Sequence, residues 1–373
     1  MKFVIGKSAL QEVLQAAISA VPNKSTIQVL NNFALRLEGN FLEVSATDLS
    51  LGIRASVEVQ GERDGSVVIN ARKLLDLVKN LVDPSIENIC IDVQDYLATI
   101  RWSERGKASI TGFDASDFPP FPEVTDGESL TVAASELAFL VEKTAFACST
   151  NVTRLNLNGV YLEAKDGTIS MIATDGLRLG RAFIEQEGAN LENGAIIPKK
   201  ALQLILSMAK GDALVEIRTS STHILFSCGT TQVISKLYEG PYPNYRVVIP
   251  QNFERTVQLN TVEFQNKMRS VFSMANARTH KVRLQFDGNN LELSANDPDV
   301  GGDSREAMAV NHNGDGNFSI GFDGRFLTEI FGMCNCDETV MKMNNPIGAC
   351  IIEPVGENVG FSFLLMPTRL TDD

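Results

Sequence analysis

Apolar positions along the chain follow two periods. Leu42, Val44 and Ala46, and again Ile169, Met171 and Ala173, fall at every second position, as half-buried strands require. Leu10, Val13, Leu14 and Ala17 keep the three-to-four spacing of an amphipathic helix, and Ser8 with Gln11 three residues on predicts a capping box at its start. The helical positions recur at long range: Leu10, Leu137 and Phe264 are each 127 residues apart, and Leu14, Val141 and Met268 keep the same interval. A second helix is marked by Leu74 with Val78, Leu202 with Leu206 and Phe326 with Ile330, each pair four residues apart on one face. Short strands are predicted before these helices, at 66–69, 194–197 and 318–320. Further strand pairs close the units, such as 90–93 with 97–102 and 213–217 with 223–228.

The repeat is plainest in Met171-Ile-Ala-Thr-Asp-Gly-Leu-Arg-Leu-Gly180, which has relatives at Val44-Ser-Ala-Thr-Asp-Leu49 and Leu293-Ser-Ala-Asn-Asp-Pro298. Aspartates therefore stand at 48, 175 and 297, at the tips of strand–turn–strand units, where a carboxylate bonds nearby backbone N–H groups and Gly or Pro supplies the torsions. Turn chemistry accounts for all three. Three units of about 124 residues, each large enough for its own core, follow from that spacing. Prolines in Phe118-Pro-Pro-Phe-Pro122 and Pro241-Tyr-Pro-Asn-Tyr245 mark extended linkers, so the predicted domains are 1–126, 127–254 and 255–373. Two helices with several mostly antiparallel strands per unit make the fold class α+β.

Composition narrows the function. A formal net charge of −13 argues against a general nucleic-acid binder, although a protein that encloses DNA needs only a locally basic lining. No run approaches the roughly 18 apolar residues of a membrane span, and the first residues lack the apolar region of a signal peptide, which predicts a cytosolic chain. The cysteines at 90, 148, 228, 334, 336 and 350 lack zinc or redox spacing and are expected to be free thiols, with no metal site.

Three repeats of this size, Ala-Thr-Asp-Gly-x-Arg-Leu at 173–179, Tyr-Pro-x-Tyr-Arg at 242–246 and a terminal Met-Pro-x-Arg-Leu at 366–370 together resemble the bacterial sliding clamps, the β subunits of DNA polymerase III. The resemblance spans essentially the whole chain. It implies three tandem clamp domains and a head-to-tail, ring-forming homodimer that encircles duplex DNA without reading its sequence. It further implies no catalysis and no cofactor. The implied protein partners are the DNA polymerase III catalytic subunit, the clamp loader, repair polymerases and other proteins carrying a clamp-binding motif. No membrane is involved, and the place of action is the cytoplasm at the nucleoid.

The resemblance also assigns residues. Lys24, Asn151 and Arg154 fall where the family touches DNA, Arg278 stands in the matching third loop, and the second helices offer Arg72, Lys73, Lys79, Lys199, Lys200, Lys210 and Arg325. Ordinary solvated cations are the alternative for any one of them. A cleft for short peptides with Leu and aromatic anchors would be lined by Leu157, Thr174, Gly176, Leu177, Arg178, Leu179, Pro243, Val248, Ile347, Leu364, Met366, Pro367, Thr368, Arg369 and Leu370. From the residues alone, Leu157, Leu179 and Met366 read first as core, and the three coincident motifs reverse that reading. The ring contact would use Lys107, Ala108, Ser109 and Ile110 against Ser273 and Met274, a small, soft pair of surfaces.

Three positions depart from the family pattern. Leu177 stands where His is frequent, Val247 where Arg can rim the cleft and Asn156 where Tyr can sit. A more apolar mouth, with the acidic tail Thr371-Asp372-Asp373 beside it, predicts partner peptides that depend little on acidic flanks. Two other classes remain open on the residues themselves. One is an enzyme using Asp48, Asp175 and Asp297, or one of His223, His280 and His312 with a nearby Ser, although no P-loop or Gly-x-Ser-x-Gly elbow is present. The other is a monomeric peptide-binding scaffold.

Overall fold

The computed structural model describes residues 1–124, 127–314, 316–356 and 360–370. The tail Thr371, Asp372 and Asp373 lies outside the described residues, as do Thr125 and Asp126 at the first predicted domain boundary. Six α-helices occur among them: α1 Lys7–Ala17, α2 Ala71–Asn80, α3 Ala134–Glu142, α4 Lys199–Met208, α5 Thr261–Phe272 and α6 Gly324–Met333. All the long-range helical positions point inward, for Leu10, Leu137, Phe264, Leu14, Val141 and Met268 are buried.

The second helices shift slightly from expectation. On α4 the buried stripe runs through Leu202 and Ile205, with Leu206 half-buried, and on α6 through Leu327, Ile330 and Phe331, with Phe326 at its margin. The capping box at Ser8 does not form. The helix starts two residues earlier than that cap would place it, at Lys7, with Gly6 as its cap and no side-chain cap bond, so Ser8 is already inside the first turn.

Every described strand pairing within the four sheets is antiparallel. Two sheets join successive repeats. In the eight-stranded sheet the last strand of repeat two, Thr231–Lys236, pairs with Leu51–Glu58 of repeat one. In the nine-stranded sheet the last strand of repeat three, Phe361–Leu365, pairs with Arg178–Glu185 of repeat two. The remaining five-stranded sheet ends on Lys107–Thr111, and the four-stranded sheet ends on Gly302–Ala309.

These joints explain how the contacts group. One compact unit gathers Met1–Leu137 and Ile197–Tyr238, and the other gathers Ala138–Ile196 and the chain from Glu239 onward, so repeat two is divided between them. In the first unit α1 packs on α2 and on the strand Leu51–Glu58; in the second, α5 packs on α6 and on Gly302–Ala309. Tight packing is visible at Gly180, where an added Cβ would lie 2.5 Å from the carbonyl oxygen of Lys143.

Candidate functional site

Two of the three aspartate tips are built alike, bond for bond. Thr47 Oγ1 accepts from Leu49 N–H at 2.9 Å and donates to Leu51 O at 3.0 Å, while Asp48 Oδ1 accepts from Ser50 N–H at 3.0 Å and Leu51 N–H at 2.8 Å. Thr174 Oγ1 accepts from Gly176 N–H at 3.0 Å and donates to Arg178 O at 2.6 Å, while Asp175 Oδ1 accepts from Leu177 N–H at 2.9 Å and Arg178 N–H at 3.1 Å. The joining strand is held identically in both, by Lys236 N–H to Ser50 O and Met366 N–H to Leu177 O, each at 2.8 Å. The third tip is longer: Asp297 Oδ1 accepts from Asp299 N–H at 3.0 Å and from Asn276 Nδ2 at 2.7 Å.

These carboxylates hold turns. Burial alone would push Asp48 up, but the Lys200 ammonium at 2.8 Å and the Leu51 and Ser50 N–H groups outweigh it and hold the carboxyl below the usual aspartate range. No group of three or more His, Cys, Asp or Glu among the described residues is arranged to hold a metal ion. None of the described thiols is in a disulfide: Cys148, Cys334 and Cys350 are buried and the other three half-buried, and burial pushes the Cys334 thiol up to about 12.

Around the second tip the residues assigned to a peptide cleft differ in burial. Leu157, Leu179 and Leu364 are buried, and Leu179 and Leu364 share a cluster with Ile172, Tyr245 and Ile351, against which Tyr161, Tyr242 and Ala349 pack. Leu177, Val248, Ile347 and Met366 are exposed, as is Val247. Met366 is fixed at both sides, by its own N–H to Leu177 O and by Thr368 N–H to Gly321 O at 2.8 Å. Thr174, Pro367, Thr368 and Leu370 are half-buried, and Gly176, Pro243 and Arg369 are exposed. Tyr161 and Tyr242 stack with centroids 4.8 Å apart, and burial, the largest cause in each case, pushes the hydroxyls of Tyr242 and Tyr245 well above the usual phenol range. Both rings are therefore neutral amphipathic walls at physiological pH.

Arg178 sits apart from the rest of the lining. Its guanidinium is buried, donates to Asp175 Oδ2 at 3.1 Å, to Glu329 and to Phe146 O at 3.0 Å, and lies over the Phe326 ring at 4.4 Å. Through these three bonds it fixes the turn against α6. Arg246 is likewise engaged, by Glu163 at 2.6 Å.

The cations assigned to DNA are on the surface. Lys24, Asn151, Arg154 and Arg278 are exposed, and Arg72 steadies the Lys24 loop by donating to Asn23 Oδ1 at 3.1 Å. Arg154 also reaches the second tip, its Nη1 lying 3.9 Å from the position of a Cβ on Gly176. Arg72 and Lys73 open α2, Lys199 and Lys200 open α4, and Arg325 opens α6, all without an acidic residue in the first turn. Cations at helix N-termini work against the macrodipole, and the combination favours an anionic ligand such as phosphate. Lys200 and Arg325 are partly neutralised, by Asp48 and Asp323.

Of the residues assigned to the ring contact, Lys107, Ala108, Ser109 and Ile110 lie on the open edge strand Lys107–Thr111, with Ala108 and Ile110 half-buried. Ser273 and Met274 follow α5 and are exposed, and Met274 Sδ lies 3.6 Å from the Cβ position of Gly302, the first residue of the other open edge. That edge, Gly302–Ala309, was not anticipated from sequence. Its signal was available in the repeat, since the equivalent strands after Asp48 and Asp175 are the ones that receive a neighbour.

Comparison with known proteins gives one consistent result. Residues 1–122, 131–244 and 246–369 match the families described as the N-terminal, central and C-terminal domains of the DNA polymerase III beta subunit. The beta sliding clamp of Synechocystis sp. is 30% identical, with 100% of each chain covered, and that of Pseudomonas aeruginosa is 28% identical, covering 99% of this chain and 100% of the relative. The crystal structure of the P. aeruginosa subunit superposes with a TM-score of 0.94 at 26% identity, over 99% of this chain and 100% of that one. A Bartonella birtlesii sliding clamp bound to griselimycin superposes at 0.92 with 29% identity, over 99% and 100%.

Proposed function

The chain belongs to the DNA polymerase III β-subunit family, the bacterial sliding clamps, and we propose that its exposed cation loops and its Met366 cleft divide the work, the first against DNA and the second against partner proteins. It is a processivity factor of DNA replication. The single observation that carries the division is the second tip. There the buried Leu179 and Leu364 pair across the sheet, and Leu177, Val248, Ile347 and Met366 are exposed apolar side chains, the kind of surface a short helical or extended peptide with apolar anchors requires. The exposed Met adapts to different anchors.

A ring of two chains is supported by the sheets. Both complete joints within the chain pair the strand after an aspartate tip with the last strand of the next repeat. Lys107–Thr111 and Gly302–Ala309 are the two strands of those same kinds left on open edges, so a second copy, head to tail, completes both. Domains 1–126, 127–254 and 255–373 then become six similar units around duplex DNA. Lys24, Asn151, Arg154 and Arg278, with the helix-opening Arg72, Lys73, Lys199 and Lys200, contact phosphates weakly and without base readout. The protein acts without catalysis in the cytoplasm, at the nucleoid. It is loaded by the clamp loader and receives the polymerase III catalytic subunit and repair polymerases in turn.

The test is retention on nicked circular DNA with clamp loader and ATP. Retention at high salt, followed by release when a restriction enzyme cuts the circle, is expected of a ring. Equal, salt-sensitive binding to circular and linear DNA would overturn it. At the cleft, peptides with neutral flanks should bind at least as well as peptides with acidic flanks. The acidic-flank penalty should shrink when residues 371–373 are deleted, and a preference for acidic flanks would refute that expectation.

A further inference from the structure

The repeat fixes more than the fact of closure; it fixes a register. Hydrogen-bonded partners run Phe3–Ile91–Ile100–Ala108 in repeat one, Leu130–Ile217–Phe226–Val233 in repeat two and Val257–Met341–Ile352–Phe363 in repeat three, so Ala108, Val233 and Phe363 are equivalent positions. At the two complete joints Val233 faces Ile53, and Phe363 faces Gly180. Those residues follow directly on the partners of Thr47 and Thr174, Gly52 and Leu179. The third tip matches, with Asn296 paired to Asp303, so Ser304 is the position that faces Ala108 of a second copy.

That register has an electrostatic consequence on the exposed face of the closed sheet. Arg305 faces Lys107 of the second copy. Lys107 is paired with Arg101 within its own sheet, and Arg305 with Ser294, which is paired with Arg283. One row across the closure therefore reads Arg101, Lys107, Arg305, Ser294, Arg283. Like charges directly opposite on neighbouring strands are about 5 Å apart at Cβ and oppose pairing, whereas the carboxylates of the adjoining rows, Asp303 diagonal to Lys107 and Glu292 diagonal to Arg305, stand farther off at about 7–8 Å. No ion pair holds Arg305 or Lys107 among the described residues. Beside Arg305 lies a cavity of about 530 Å³ that also takes in Arg278, Lys281 and Arg283, and with Asp299 and Asp303 in the same lining its four cations outnumber its two carboxylates.

Resting on the ring described above, we propose that each closure forms a composite site for a small multivalent oxyanion of the phosphate class, seated between Lys107 of one copy and Arg305 and Arg283 of the other, and that the bound anion tightens the ring. The half-buried Ala108 and Ile110 face Ser304 and Gly302 on the opposite side of the strand, next to Met274, and supply the apolar part of the contact. Closure then depends on anion identity as well as on ionic strength.

Sedimentation velocity of the full chain measures this directly. At matched ionic strength, replacing chloride by inorganic phosphate or pyrophosphate should tighten dimerisation. Removing one like-charge pair is worth about fivefold at each closure, hence about 25-fold for a ring with two. K107E and R305E should each tighten the dimer in chloride by a similar factor and lose the phosphate response, whereas the K107E/R305E double variant, which restores a like-charge pair of opposite sign, should lose the gain. A dimer whose affinity is the same in chloride and phosphate, or a double variant as tight as the singles, overturns the site while leaving the ring intact. Absence of any dimer at high protein concentration refutes the ring itself. A single-stranded oligonucleotide at equal phosphate concentration separates the sources: tightening by the oligonucleotide alone would refute a free oxyanion.

Discussion

Leu49 carries a left-handed backbone (φ 74°) at the point where the second tip has Gly176 (φ 94°). A branched residue there costs about 1–2 kcal/mol, and the glycine carries no such penalty. Because the side chain is 45% exposed and its partial burial offsets only part of that strain, Leu49→Gly should raise unfolding free energy by less than about 1 kcal/mol in a denaturant melt, and a loss of stability would show that the leucine is held by contacts. The neighbouring Asp48 gives a pH signature. Its carboxyl is depressed in the folded chain, so its contribution is complete above the unfolded aspartate value and disappears as pH falls through the lower folded one. Asp48→Asn should cost about 1 kcal/mol at pH 7, with the gap to the parent closing below about pH 4 in thermal melts. A gap independent of pH would assign the effect to turn geometry.

At the scale of elements, Arg178 is the best example of a residue whose role changes between sequence and structure. In the motif it reads as a cation on a cleft; in the fold it is a buried tie between the second tip and α6, through Asp175, Glu329 and Phe146 O. Arg178→Met should therefore destabilise by about 2–3 kcal/mol, less than a fully buried pair because Glu329 is 42% exposed, and peptide affinity should fall only as far as the turn loosens. Intact stability with lost peptide binding would reverse that assignment. The strands and helices themselves were legible because each buries one face against its own repeat, which writes a local period into the chain. The fusion of sheets across repeats was not. Leu51–Glu58 and Arg178–Glu185 look the same whether they are edges or interior strands, since the pairing uses backbone groups that every residue carries. The cap of α1 differs for a related reason: Ser8 has the right chemistry two positions too late.

For the whole molecule, the two proposed surfaces should separate under mutation. Lys24→Ala should weaken DNA association uniformly across sequences and lower the salt slope by about one, leaving peptide binding untouched. Met366→Ala should spare DNA and weaken partner peptides by about 1–2 kcal/mol in a fluorescence titration, through lost apolar contact. Coupled losses in both assays would mean that the Arg154–Gly176 contact links the surfaces more tightly than the division allows. The family was legible in three short motifs, whereas the cations gave no such signal. A lysine facing phosphate and a lysine facing water occupy the same kind of exposed position, and only the excess of cations at the starts of α2, α4 and α6 sets them apart.

Each copy presents one open edge of each kind, Lys107–Thr111 and Gly302–Ala309. In the vocabulary of polymer chemistry the chain is a bifunctional monomer with unlike ends, and a ring is its cyclised product. A copy with only one end blocked is then a chain stopper: it still accepts a normal partner at its intact edge but leaves the other joint open. Co-expressed with the parent, such a copy should poison topological retention on DNA out of proportion to its share of the pool, because one defective member is enough to leave a ring unclosed.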